Sequence, residues 1–168
     1  MTRSLHTASL LLLTAIAVPT LFMGEKIQPS VTGQWIQDRN LREARTGACT
    51  AVLSDGRMLA TGGIGVGGGA LETAEFLSVA GYSASVSSMG VARSEHVCAT
   101  LPGGQVLVAG GRVAGQAATN AAELYNPSTD TWTSIQSMRE ARIGATVTPL
   151  ADKRLLIAGG HTVLRVFH

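Results

Sequence analysis

The sequence predicts an all-β chain assembled from repeated four-stranded antiparallel units. Two sets of markers and one composition pattern carry that prediction. Ala44-Arg45, Ala92-Arg93 and Ala141-Arg142 recur after 48 and then 49 residues, and Gly62-Gly63, Gly110-Gly111 and Gly159-Gly160 keep the same two spacings. Each double glycine closes a short, continuously apolar run, too brief for a core helix and suited to a strand covered on both faces. A fixed period of this size is the mark of a repeat architecture.

Other positions fall into the same register. Ala74-Glu75 returns as Ala122-Glu123, Met89 returns as Met138, and Arg42-Glu-Ala-Arg45 is identical to Arg139-Glu-Ala-Arg142. Trp35 and Trp132 each stand ten residues before one of those closing arginines.

The elements follow in order within each unit. A first strand covers residues such as 97–101 or 144–150, and a turn follows at Asp55-Gly56, Gly103-Gly104 or Asp152-Lys153. The second strand is the apolar run 58–60, 106–109 or 155–158, which ends at the double glycine. A loop rich in Gly and Ala comes next. Residues 122–125 then begin a third strand, Asn126-Pro127 opens a turn, and Thr131-Trp132-Thr133-Ser134 makes a fourth.

Four strands repeating at this interval have the size of a β-propeller blade. The segments Leu-Pro-Gly-Gly-Gln-Val-Leu-Val-Ala-Gly-Gly111 and Ala-Glu-Leu-Tyr-Asn-Pro-Ser-Thr-Asp-Thr-Trp132 resemble kelch repeats, in particular those of exported bacterial kelch proteins. The resemblance runs from Trp35 to Gly160. In the first unit Leu77 stands where the second has Tyr125, and Ser83 where it has Trp132, so the outer half of that blade is degenerate. The chain divides into a signal peptide or signal anchor (1–24), a linker with the outermost strand of a partial blade (25–40), repeat 1 (41–89), repeat 2 (90–138) and a partial repeat 3 (139–168). That is about two complete blades plus parts of two others. Propellers hold four to eight blades, so the expectation is a portion of a longer propeller, with assembly of several chains as the competing explanation.

The N-terminal assignment rests on a short basic start, an apolar run over 7–18 and no acidic residue before Glu25. Ala15-Ile16-Ala17 offers a small-x-small cleavage pattern. Apolar residues resume at Leu21, Phe22 and Met23, which keeps an uncleaved membrane anchor as the alternative. The expected location is secreted, periplasmic or cell-surface. Over the whole chain 45% of residues are hydrophobic and 14% charged, which suits a packed protein over a disordered one. Lys and Arg outnumber Asp and Glu by only 13 to 11 without a run of either sign, so no nucleic-acid partner is expected.

The residues that invite a chemical reading each have a structural one beside it. Gly63, Gly65 and Gly68 form a G-x-G-x-x-G pattern, but a dinucleotide site needs a helix after it, and the repeat places a strand at Ala74-Glu75 instead. Arg45, Arg93 and Arg142 recur with the fold, which assigns them structural hydrogen bonds. Trp35, Trp132 and Tyr125 read as packing residues with a polar tip to satisfy. His96 and His161 occupy different positions in different units and read as surface or satisfied histidines. Cys49 and Cys98 match none of the usual metal or redox spacings and read as two buried small side chains. His96 and Cys98 share one strand face, which makes a Cys-His pair conceivable without a third member.

No catalytic, cofactor-binding or metal-binding residue is assigned. The functional expectation is a non-catalytic exported kelch-repeat protein or fragment that recognises a protein or carbohydrate through its inter-strand loops, chiefly 64–72 and 112–120. Self-association to cover exposed blade edges is a further expectation. The alternative is a portion of a propeller enzyme of the galactose-oxidase-like copper type, with its site in blades outside this chain. That resemblance implies tyrosine and histidine ligands, and no residue here takes over that site; a shared fold does not transmit function.

Overall fold

The computed structural model describes residues 41–78, 83–114 and 117–162. The expected signal segment, the linker with Trp35, and Tyr82, His6 and His168 lie outside the described residues, as do two positions of the 112–120 loop.

Ten strands form three antiparallel sheets. The first holds β1 (Cys49–Val52), β2 (Met58–Thr61), β3 (Ala74–Leu77) and β4 (Ser83–Val86) in that spatial order. The second repeats it with β5 (Val97–Thr100), β6 (Val106–Ala109), β7 (Ala122–Asn126) and β8 (Thr131–Ile135). The third pairs β9 (Ile143–Pro149) with β10 (Leu155–His161). No helix occupies residues 70–76, where β3 begins instead, so the G-x-G-x-x-G pattern lacks the helical N-terminus that would hold a phosphate.

The hairpins are copies of one another. Leu53, Leu101 and Leu150 each donate their N–H to the carbonyl four residues on, at 2.8 Å in all three, and the turns are closed by Gly56, Gly104 and Lys153 in the left-handed region. The register also repeats: Leu77 lies opposite Ser83 as Tyr125 lies opposite Trp132. The first blade therefore keeps four strands although its outer pair has lost the aromatic residues.

The core lies between neighbouring sheets. Successive strand side chains point to opposite faces, so one face of the first blade presents Ala51, Leu59, Ala74 and Phe76, and the second blade answers with Cys98, Val106, Val108 and Tyr125. Tyr125 stands edge-on to Phe76 at 6.0 Å and packs on Trp132 at 4.9 Å. The polar tips are satisfied as the sequence predicts: the Tyr125 hydroxyl donates to Asp130 at 2.8 Å, and the Trp132 indole N–H donates to the carbonyl of Ser87 in the first blade, also at 2.8 Å. The other face of the second blade packs Val97, Ala109 and Ala122 against Ala145, Val147 and Ile157. The first strands β1, β5 and β9 lie side by side.

Two expectations need correction. The cysteines are not two separate small side chains: Cys49 and Cys98 form a disulfide between β1 and β5, with their Cα atoms 5.9 Å apart. They stand 49 residues apart where the local period is 48, so they occupy opposite faces of equivalent strands and meet across the seam. The double glycine also fails to end the second strand of the third unit, since β10 runs through Gly159-Gly160 to His161. In the two complete blades the first glycine N–H goes to the residue before the third strand and the second goes to the next blade. Among the described residues the third unit has neither neighbour, and β10 keeps pairing with β9.

Candidate functional site

The repeated arginine and double glycine build the seam between blades. The Arg93 guanidinium is fully buried; it donates to the carbonyls of Gly110 and Ala121 at 2.9 and 2.8 Å and to the Glu123 carboxylate at 2.7 Å. Arg45 does the same within the first blade, reaching Gly62, Thr73 and Glu75. Both carboxylates also accept a backbone N–H, from Gly90 and from Arg42. Planar, multiply donating guanidinium suits this cluster of carbonyls and one acid. Burial pulls Arg93 below the usual guanidinium range, and the Glu123 carboxylate opposes that shift.

While its side chain serves its own blade, the backbone of the same segment ties back to the preceding one. The Arg93 N–H donates to Leu71, the Met89 N–H donates to Glu72, and the Arg93 carbonyl accepts from Gly63 at 2.9 Å. One period on, Arg142 donates to Thr119, Met138 to Asn120, and the Arg142 carbonyl accepts from Gly111 at 2.7 Å. A side chain at the first glycine would collide here. A Cβ on Gly62 would fall 2.3 Å from the Arg93 carbonyl and one on Gly110 2.7 Å from that of Arg142, and both glycines have positive φ. These glycines serve close approach between blades.

His96 belongs to the same seam. Its Nε2 lies 2.8 Å from the Thr61 hydroxyl, which donates in turn to the Cys49 carbonyl. Both bonds form when Nε2 carries the ring proton. Burial, reinforced by the Arg93 charge, pushes the imidazole pKa down to about 3, so the ring is neutral. Cys98 shares its face, as the strand alternation predicts, but its sulfur is held by Cys49, so the pair has no thiol to offer a nucleophile. His161, by contrast, is exposed.

The two loops singled out from the sequence do meet. A cleft of about 560 Å3 opens at the end of the seam where β2 leads to β3 and β6 leads to β7. Its walls are Ile64 and 68–70 from the first loop, Arg112, Val113 and Ala114 from the second, and residues 90–92 with Ser94 from the segment joining the blades. Reading by loop composition found the first two walls and missed the third, whose Gly90-Val91-Ala92 carries no chemical signal of its own. The one charged side chain on the cleft, Arg112, donates to the Glu95 carboxylate at 3.0 and 3.3 Å, which mutes its charge. Two bridges hold the loop bases, Thr46 with Ile64 and Ser94 with Arg112. No group of three or more His, Cys, Asp or Glu side chains converges among the described residues.

Residues 93–139, the second blade from its buried arginine to just beyond β8, match the family model of the kelch motif. The second blade carries a kelch motif. The matched segment contains Tyr125 and Trp132, where the first blade has Leu77 and Ser83. No curated protein matches the chain.

Proposed function

We propose that this kelch chain is an exported, non-catalytic module that recognises a protein partner through the cleft between its blades. The observation that carries the reading is the convergence of both glycine- and alanine-rich loops on one cleft with small side chains, exposed backbone and a neutralised arginine. Such walls admit an extended polypeptide close to the backbone, where rigid strands position variable loops. A carbohydrate partner is less well served, because the cleft-lining residues include no aromatic ring to stack on a sugar, and Tyr125 and Trp132 are spent on packing. The Cys49–Cys98 bond supports export, since disulfides persist in oxidising compartments, and the basic, then apolar N-terminus agrees with it. No helix among the described residues is long and apolar enough to cross a membrane.

Peptide-display selection on the full chain tests this. The expected binders are extended peptides whose affinity falls about tenfold or more when Ala70→Arg or Ala92→Arg fills the cleft. Binders indifferent to both substitutions would overturn the reading.

A further inference from the structure

The segment that enters the second blade departs from its own repeat at three consecutive positions. Where the first unit has Thr46-Gly47-Ala48 and the third has Ile143-Gly144-Ala145, the second has Ser94-Glu95-His96. The middle position asks for glycine: Gly47 and Gly144 have φ of +63° and +65°, and Glu95 holds the same left-handed conformation at +53°. A side chain is strained there. The other two non-glycine residues with positive φ among the described residues, Asp130 and Lys153, close hairpin turns. Glu95 closes none; it lies on the seam, with its N–H on Gly47 and its carbonyl on Gly144.

The strained backbone places a carboxylate beside the cleft. Glu95 accepts from Arg112 on the cleft wall, where the first unit has Ile64, and its side chain remains 36% exposed. Its neighbour Ser94 lines the cleft as well. The Ser94 hydroxyl is buried and finds no hydrogen-bond partner, although buried polar groups ordinarily have one. Turning it about χ1 toward the opening therefore breaks no bond. Of the three buried side-chain atoms without a partner among the described residues, two, Ser94 Oγ and His96 Nδ1, fall in this one segment. Backbone strain and unmet hydrogen-bonding capacity thus coincide where the sequence leaves its repeat, the mark of a site kept for binding at the expense of the fold.

We propose that Ser94 and Glu95 form a recognition point in the cleft for a side-chain amide, Asn or Gln, of the bound extended peptide, an inference that rests on the cleft reading above. Charge balance selects a neutral group. Glu95 is matched by Arg112 and Arg93 by Glu123, so an added cation meets two arginines and an added anion meets Glu95, and a buried unpaired charge is costly. An amide NH2 has two donors, one for the carboxylate and one for the hydroxyl oxygen, where a Ser or Thr side chain has one.

Peptides selected by display on the full chain test this against the parent, Ser94→Ala and the double variant Glu95→Gly/Arg112→Ile. The double variant carries the first blade's own residues at both positions, and Ser94→Ala removes a hydroxyl without a partner, so its urea midpoint stays at or above that of the parent. The selected peptides are expected to share an Asn or Gln whose replacement by Leu weakens binding to the parent about tenfold or more. The same replacement changes binding to either variant less than about twofold, because the interaction is already gone. Peptides that are blocked by Ala92→Arg but share no amide residue, or that bind both variants as tightly as the parent, overturn this proposal and leave the cleft reading standing. Peptides indifferent to Ala92→Arg overturn both. A lowered midpoint in Ser94→Ala makes the hydroxyl a structural group and overturns the proposal as well.

Discussion

The Arg93 guanidinium and the Glu123 carboxylate meet at 2.7 Å with both side chains withdrawn from solvent. Removing the cation strands a buried acid, whose remaining contact is the Gly90 N–H. Arg93→Ala is expected to cost about 3–5 kcal/mol of unfolding free energy. Arg142, which shares the arginine register but pairs with the exposed Glu140 and the Gly159 carbonyl, serves as the control: Arg142→Ala is expected to cost about 1 kcal/mol or less. Urea denaturation of the two variants side by side checks the contrast.

The disulfide closes a long loop between two blades. Replacing both Cys49 and Cys98 with alanine is expected to lower stability by roughly 4 kcal/mol on loop-closure grounds. Thermal melts with and without reductant read the effect: reductant lowers the midpoint of the parent chain and leaves that of the double variant unchanged.

His96 makes stability depend on pH. Its folded pKa of about 3 lies below the ordinary histidine value of about 6.5, so between those values the unfolded chain binds a proton that the folded chain refuses. The stabilisation is therefore fully present above the unfolded pKa and is lost as pH falls through this window, with a slope approaching about 1.4 kcal/mol per pH unit. Measurements between about pH 6 and about pH 4.5 precede the carboxylates, which titrate near 4. His96→Gln is expected to flatten the slope there.

Much of this was legible because repetition reports geometry. The common spacing of Ala-Arg and Gly-Gly placed the second strands, and the return of Ala74-Glu75 as Ala122-Glu123 placed the third. The same pairs held an unused clue: Glu75 and Glu123 each lie 30 residues after their arginine, and the structure joins them. The disulfide escaped because the cysteines were compared with metal and redox spacings, whereas an offset of one residue from the period is what turns two strand positions face to face. The cleft was half visible. Its loops announce themselves by composition, but the third wall depends on how the segment after β4 crosses the seam, and that path is set by the backbone bonds of Met89 and Arg93 to the preceding loop.

The central claim is that the double glycines, which resemble a cofactor loop, are the points where one blade's backbone touches the next. Gly110 and Gly159 isolate that contact, since both have a φ near +70° but only Gly110 faces a neighbouring carbonyl. Chemical denaturation of Gly110→Ala and Gly159→Ala measures it. The account predicts that both lose the roughly 1–2 kcal/mol of a left-handed alanine and that Gly110→Ala loses at least about 2 kcal/mol more, as overpacking demands. Equal losses at the two positions would contradict it.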